Sequence, residues 1–108
     1  MRAGEIWTAS AGDRGYAGKP RPVVIVQENL IDEFDSVVLC LLTSSDEKNE
    51  HRVLVDPCAA NGLEVPSWVM TDKLLAIRKS ALGRKIGSVS EAELAAIRKE
   101  LAYILGIG

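Results

Sequence analysis

Apolar and polar positions along the chain divide it into short strand-like runs followed by one helix. Glu5-Ile6-Trp7-Thr8-Ala9 is a short stretch of alternating bulky apolar residues and predicts a strand. Val23-Val24-Ile25-Val26 is β-branched throughout and predicts a buried strand, ended by Gln27-Glu28-Asn29. Leu30 to Phe34 suit a short helical turn. Ser36 to Thr43 form a second apolar run, which closes on the hydroxyls Thr43-Ser44-Ser45. Residues Glu47 to Glu50 read as a charged loop. Arg52-Val53-Leu54-Val55-Asp56 alternates like a half-exposed strand and is stopped by Pro57. Asn61-Gly62 is a turn signal. Ser67-Trp68-Val69-Met70 and Ile86 to Val89 predict two further short strands.

The final segment is the clearest element. Ser90 and Glu93 have the spacing of a capping box, with Ser90 at the N-cap. Leu94, Ile97, Leu101, Ile104 and Leu105 then recur on one helical stripe, and Gly106 is placed to end the helix in the left-handed conformation. Several short strands with one terminal amphipathic helix predict a mostly β fold with α: a small β-barrel with a C-terminal helix packed on it. At 108 residues the chain is expected to form one domain over residues 1–108.

Composition narrows the function without choosing it. Hydrophobic residues make up 47% and charged residues 26%, which excludes a disordered chain. No apolar run reaches the roughly 18 residues of a membrane span, so no membrane role is expected. Met1-Arg2-Ala3-Gly4-Glu5 lacks an apolar signal core, which points to the cytoplasm. Thirteen Lys and Arg against fifteen Asp and Glu give a net charge of −2, mildly against nucleic-acid binding. The distribution is less even than the sum. Arg14, Lys19 and Arg21 share one stretch with only Asp13, and Lys73, Arg78, Lys79, Arg84 and Lys85 form a second basic block. These form a polarised surface if they share a face, and solvated loops if they do not.

Most standard chemistries are missing. Cys40 and Cys58 have no metal or redox spacing, and Cys40 reads as a small buried hydrophobe. His51 is the lone histidine and stands in a charged stretch, so an acid–base pair of histidines within one chain is excluded. No metal or cofactor is expected. Residues 10–22 carry Gly12, Gly15, Gly18, Pro20 and Pro22, a breaker density that predicts a long loop of the kind that often carries function. At its end Arg21 stands between two prolines that hold its backbone extended. A planar cationic fork held in this way suits a phosphate, although the residues alone also allow an ordinary surface arginine.

Taken in order, the chain carries Gly4-Glu5-Ile6-Trp7, Gly18-Lys19-Pro20-Arg21-Pro22-Val23-Val24-Ile25-Val26, Leu42-Thr43-Ser44 and Asn61-Gly62-Leu63. Pro66-Ser67-Trp68-Val69-Met70-Thr71-Asp72-Lys73 and Ile86-Gly87 follow before the helix. This series resembles the MazF/PemK family of bacterial toxins from toxin–antitoxin pairs, over nearly the whole chain. The resemblance implies an SH3-like barrel of the type shared by CcdB and MazF, and a homodimer. It implies a metal-independent endoribonuclease that cuts single-stranded RNA and is blocked by a cognate antitoxin. Carried onto this sequence, the family's catalytic pair falls on Arg21 and Thr43. Gly18, Lys19, Ser44 and Lys73 are then expected to contact substrate. The glutamate that some members place shortly before the arginine has no counterpart in Gly15-Tyr16-Ala17-Gly18, and Asp13 is the nearest acid. Trp7 and Trp68 are expected in core or dimer packing rather than in base stacking. Two other readings stand beside the nuclease: a non-enzymatic toxin of the same fold that poisons DNA gyrase by contact, and a catalytically silent homologue.

Overall fold

Each apolar run becomes a strand of one sheet. In a computed structural model, residues 1–10, 20–28, 34–45 and 49–107 are described. They form β1 (Glu5–Ala9), β2 (Arg21–Ile25), β3 (Ser36–Thr43), β4 (Val53–Val55), β5 (Ser67–Arg78), β6 (Leu82–Ser88) and the helix α1 (Glu91–Leu105). A one-turn 3₁₀ segment, Lys79–Ala81, joins β5 to β6. The six strands make one sheet in the order β4-β5-β3-β2-β1-β6, and every pairing is antiparallel. The predicted β-rich fold with a terminal helix is present. Its sheet is an open one, edged by β4 and β6.

Alternation sorts the strands' side chains onto two faces. Ile6, Val24, Cys40, Leu42, Val55 and Val69 pack with Ile97 and Leu101 of α1 on one face. Ala9, Val23, Ile25, Val37, Leu39, Leu41 and Met70 form a second core on the other. The central strands β2 and β3 therefore bury both faces, which explains why their sequences are continuously apolar rather than alternating. Cys40 lies at 0% exposure within the first core and is unpaired, like the exposed Cys58. Burial, with the Asp72 charge adding to it, pushes the Cys40 thiol up to about 12.

β5 departs from its predicted length. The expected strand Ser67–Met70 continues to Arg78. Its register with β3 jumps between Leu42–Val69 and Cys40–Leu74, so Leu41 alone stands opposite the whole stretch from Met70 to Lys73. This wide bulge breaks the period of two, which is why the sequence reads as ending there. Thr71 is buried within it, and its hydroxyl donates to the His51 carbonyl at 2.6 Å. β6 likewise starts at Leu82, earlier than the predicted Ile86, because an edge strand accommodates the exposed Gly83-Arg84-Lys85.

The helix forms as its caps dictate. The Ser90 hydroxyl accepts the Glu93 N–H at 3.0 Å, and the Glu93 carboxylate accepts the Ser90 N–H at 2.8 Å. Gly106, at φ 72°, closes the C-terminus. The apolar stripe, however, does not bury along its whole length. Ile97 and Leu101 are buried, whereas Ile104 and Leu105 are 42% and 51% exposed, because the last turn runs beyond the core. Among the described residues no helix is long and apolar enough to cross a membrane. The predicted turn at residues 30–34 and the loop at 10–22 fall largely outside the described residues, and the loop at 47–50 does so in part.

Candidate active site

Strand register brings the two predicted catalytic residues together. β2 and β3 pair antiparallel, with Val23 opposite Leu41 and Ile25 opposite Leu39. Continued two positions beyond Val23–Leu41, that register sets Arg21, the first residue of β2, opposite Thr43, the last of β3. Residues opposite one another in an antiparallel pair share a face. Arg21 therefore projects from the Val23 and Ile25 face, and Thr43 from the Leu41 face, which is the same one. Ala9 pairs with Arg21 on its other side. Pro20 and Pro22 hold the backbone of Arg21 extended as it enters the sheet.

Arg21 and Thr43 line one cleft of about 200 Å³. Leu41, Met70 and Val65 give it an apolar lining, and Ser44 and Ser67 line it as well. The Thr43 Oγ1 accepts the Ser45 N–H at 3.1 Å. That bond occupies a lone pair and leaves the hydroxyl proton to be donated into the cleft. The Ser67 hydroxyl is already committed, donating to the Val65 carbonyl at 3.0 Å. The described lining thus includes an arginine and two hydroxyl residues, Thr43 and Ser44, among apolar side chains. This is a donor set for a tetrahedral oxyanion.

Other predicted residues are dispersed. Lys73 is exposed in the β5 bulge and does not line the cleft, so a substrate contact from it would fall outside the cleft. It borders Asp72, whose carboxylate takes two hydrogen bonds from the buried Arg52 side chain, at 3.0 and 3.1 Å. These hydrogen bonds hold the Asp72 carboxyl below the usual range against a smaller desolvation effect, with the charges of Arg52 and Lys73 adding to the lowering. Gly18, Lys19 and Asp13 lie outside the described residues. His51 takes no part in the cleft. Its Nδ1 is 2.9 Å from the Glu100 carboxylate of α1, and its ring stacks on Tyr103 at 5.2 Å.

Both tryptophans are half-buried in the sheet. Trp7 packs against the second core, and its Nε1 donates to Glu5 at 3.0 Å. Burial alone would raise the Glu5 carboxyl. Hydrogen bonds from Trp7, the Arg2 backbone and Lys85 outweigh it and hold the group below the usual range. Trp68 stands directly opposite Thr43 on β5. Among the described residues no cluster of His, Cys, Asp and Glu could hold a metal ion.

Sequence reasoning missed Met70, Val65 and Ser67 in the cleft. Leu41 was open to inference, since it lies two residues before Thr43 on the same face. Met70 was not, because the bulge hides its register.

Fold and site together define a small, mostly β protein with a guanidinium and hydroxyls gathered at one end of its sheet. Residues 2–105 match the family described as PemK-like, MazF-like toxins of type II toxin–antitoxin systems, and the chain belongs to that family. It is 38% identical over 109 aligned positions to a probable endoribonuclease MazF of Mycolicibacterium smegmatis, covering 99% of this chain and 98% of the relative. Among solved structures it is similar to a mycobacterial endoribonuclease in complex with its cognate antitoxin. That match has a TM-score of 0.81 and 26% identity, covering 100% of this chain and 97% of that one. It is similar to the Mycobacterium tuberculosis toxin MazF-mt6 at the same TM-score of 0.81 and 26% identity, covering 96% and 98%.

Proposed function

We propose that this chain is the toxin of a toxin–antitoxin pair, a metal-independent, sequence-selective endoribonuclease that cuts single-stranded RNA. The observation that carries the reading is the shared cleft of Arg21 and Thr43. In the proposed reaction the ribose 2′-oxygen attacks the adjacent phosphorus and the bond to the 5′-oxygen breaks. The proton lost from the 2′-hydroxyl is balanced by one gained at the leaving 5′-oxygen. Negative charge grows on the non-bridging oxygens between these events. A fixed guanidinium and the Thr43 hydroxyl stabilise that charge more than they stabilise the substrate, which is the requirement for catalysis. Need for a 2′-hydroxyl restricts the substrate to RNA.

No carboxylate or imidazole lines the cleft among the described residues. Arginine side chains hold their proton across the physiological range and are poor general bases. The reading therefore assigns Arg21 and Thr43 to charge stabilisation and makes slow turnover an expected property. A homodimer in the cytoplasm, held in check by a cognate antitoxin, completes the proposal.

Substitution Arg21→Ala tests it. Incubated with a long single-stranded RNA in EDTA, the unaltered chain should yield new fragments and the variant none, with closely similar thermal melts. Undiminished cutting by Arg21→Ala overturns the assignment. Intact RNA from the unaltered chain, with inhibited DNA supercoiling, would instead favour the gyrase-directed toxin.

A further inference from the structure

A second cavity adjoins the Arg21 cleft. It measures about 340 Å³ and shares Pro22, Val65 and Ser67 with the first, so the two meet over one rim. Its walls come from β6 and from the segment after Asn61. Arg84 and Glu64, a residue of each charge, both line this cavity, with Thr8, Leu63 and Ile86 beside them.

The walls are rigidly joined. Asn61, 1% exposed, accepts the N–H groups of Cys58 and Leu63 at 3.1 and 3.0 Å and donates to the Asp56 carbonyl at 2.8 Å. Gly62, at φ 70°, lies so close to β6 that a Cβ there would meet the Ile86 carbonyl oxygen at 2.1 Å. On the β6 side, a Cβ on Gly87 would meet the Asn61 carbonyl carbon at 2.4 Å. The Arg84 N–H is tied to the Thr8 hydroxyl at 3.1 Å. Two glycines thus allow the loop and the edge strand to touch, and the cavity is preformed rather than assembled on binding.

We propose that this cavity is a nucleobase subsite that reads a guanine next to the scissile phosphate. This deepens the nuclease reading and rests on it. A phosphate held at Arg21 places the neighbouring nucleotide at the shared rim, where its base can turn into the second cavity. The paired chemistry selects the base. Guanine alone among the four RNA bases offers two N–H positions, N1 and the exocyclic amine, on one edge and two acceptors, O6 and N7, on another. A carboxylate takes the first pair and a guanidinium the second.

The test maps the cut ends of a long RNA by sequencing, for the unaltered chain and for Glu64→Gln and Arg84→Ala. Guanine should dominate at one position beside the cut. Both variants should cut guanine-containing oligonucleotides roughly ten- to a hundredfold more slowly, the discrimination that one bidentate base contact provides. Their preference at that position should relax, with melts unchanged. Inosine, which lacks the exocyclic amine, should slow the unaltered chain and leave Glu64→Gln indifferent. Active cutting without a guanine preference, or variants that keep it, overturns the subsite and leaves the nuclease reading intact. An unaltered chain that yields no fragments overturns both.

Discussion

Replacing Thr43 by Val separates the hydroxyl from everything else that Thr43 does. The two side chains are nearly isosteric and both favour strands, so β3 should end as before. The hydroxyl's hydrogen bond among the described residues, from the Ser45 N–H, is exposed. Water replaces it at a cost below about 0.5 kcal/mol. The transition state fares differently, because a lost oxyanion donor costs about 3 kcal/mol, or a hundredfold to a thousandfold in rate. Single-turnover cleavage of a labelled single-stranded RNA in EDTA reads the rate, and a thermal melt reads the fold. Thr43→Val should be slowed by that factor at an unchanged melt, and Thr43→Ser should recover most of the rate. A Thr43→Val rate within about threefold of the unaltered chain would remove Thr43 from the reaction.

Arg21→Ala should show the larger loss, since it removes a charged, multidentate donor. Asn61→Ala strands two N–H groups and a carbonyl and should cost about 3 kcal/mol, a fall of about 15 °C in the thermal melt; a fall of only a few degrees would refute its role as the loop's anchor. Asp72 has a lowered carboxyl pKa, so its stabilisation is present above the ordinary carboxylate value and is lost as pH falls through the lowered one. Urea unfolding should therefore show Asp72→Asn weaker by about 1 kcal/mol at pH 7, discounted for partial exposure of Asp72, with the gap narrowing at acid pH below about 4. A gap that is constant across that range would exclude the ionic contribution.

The legible parts of this chain are those where one local rule acts alone. Ser90, Glu93 and Gly106 act within a single turn, so the helix ends are visible in the letters. β1 and β3 match their predicted limits because an alternating and a continuous apolar run end abruptly in Ser10 and Ser44. The continuation of β5 was hidden, since Thr71-Asp72-Lys73 looks like a strand's end and is a bulge held by contacts to distant residues. The same bulge carries Lys73, which does not line the cleft. Arg21 and Thr43 are singled out by the family pattern, and their common face follows from the pairing of β2 and β3. The second cavity was invisible, because Thr8, Glu64 and Arg84 come from three separate segments.

Arg21 and Thr43 are joined by neither a hinge nor a loop. Their proximity is inherited from the ladder between β2 and β3, where parity alone determines which side of the sheet each residue occupies. Deleting one residue from either strand would send one partner to the helix side and leave the other behind. Loops elsewhere can lengthen or shorten without touching the chemistry, whereas these two strands tolerate no indel of odd length. If these two residues are the catalytic pair proposed above, catalytic competence and strand alignment are a single inherited trait.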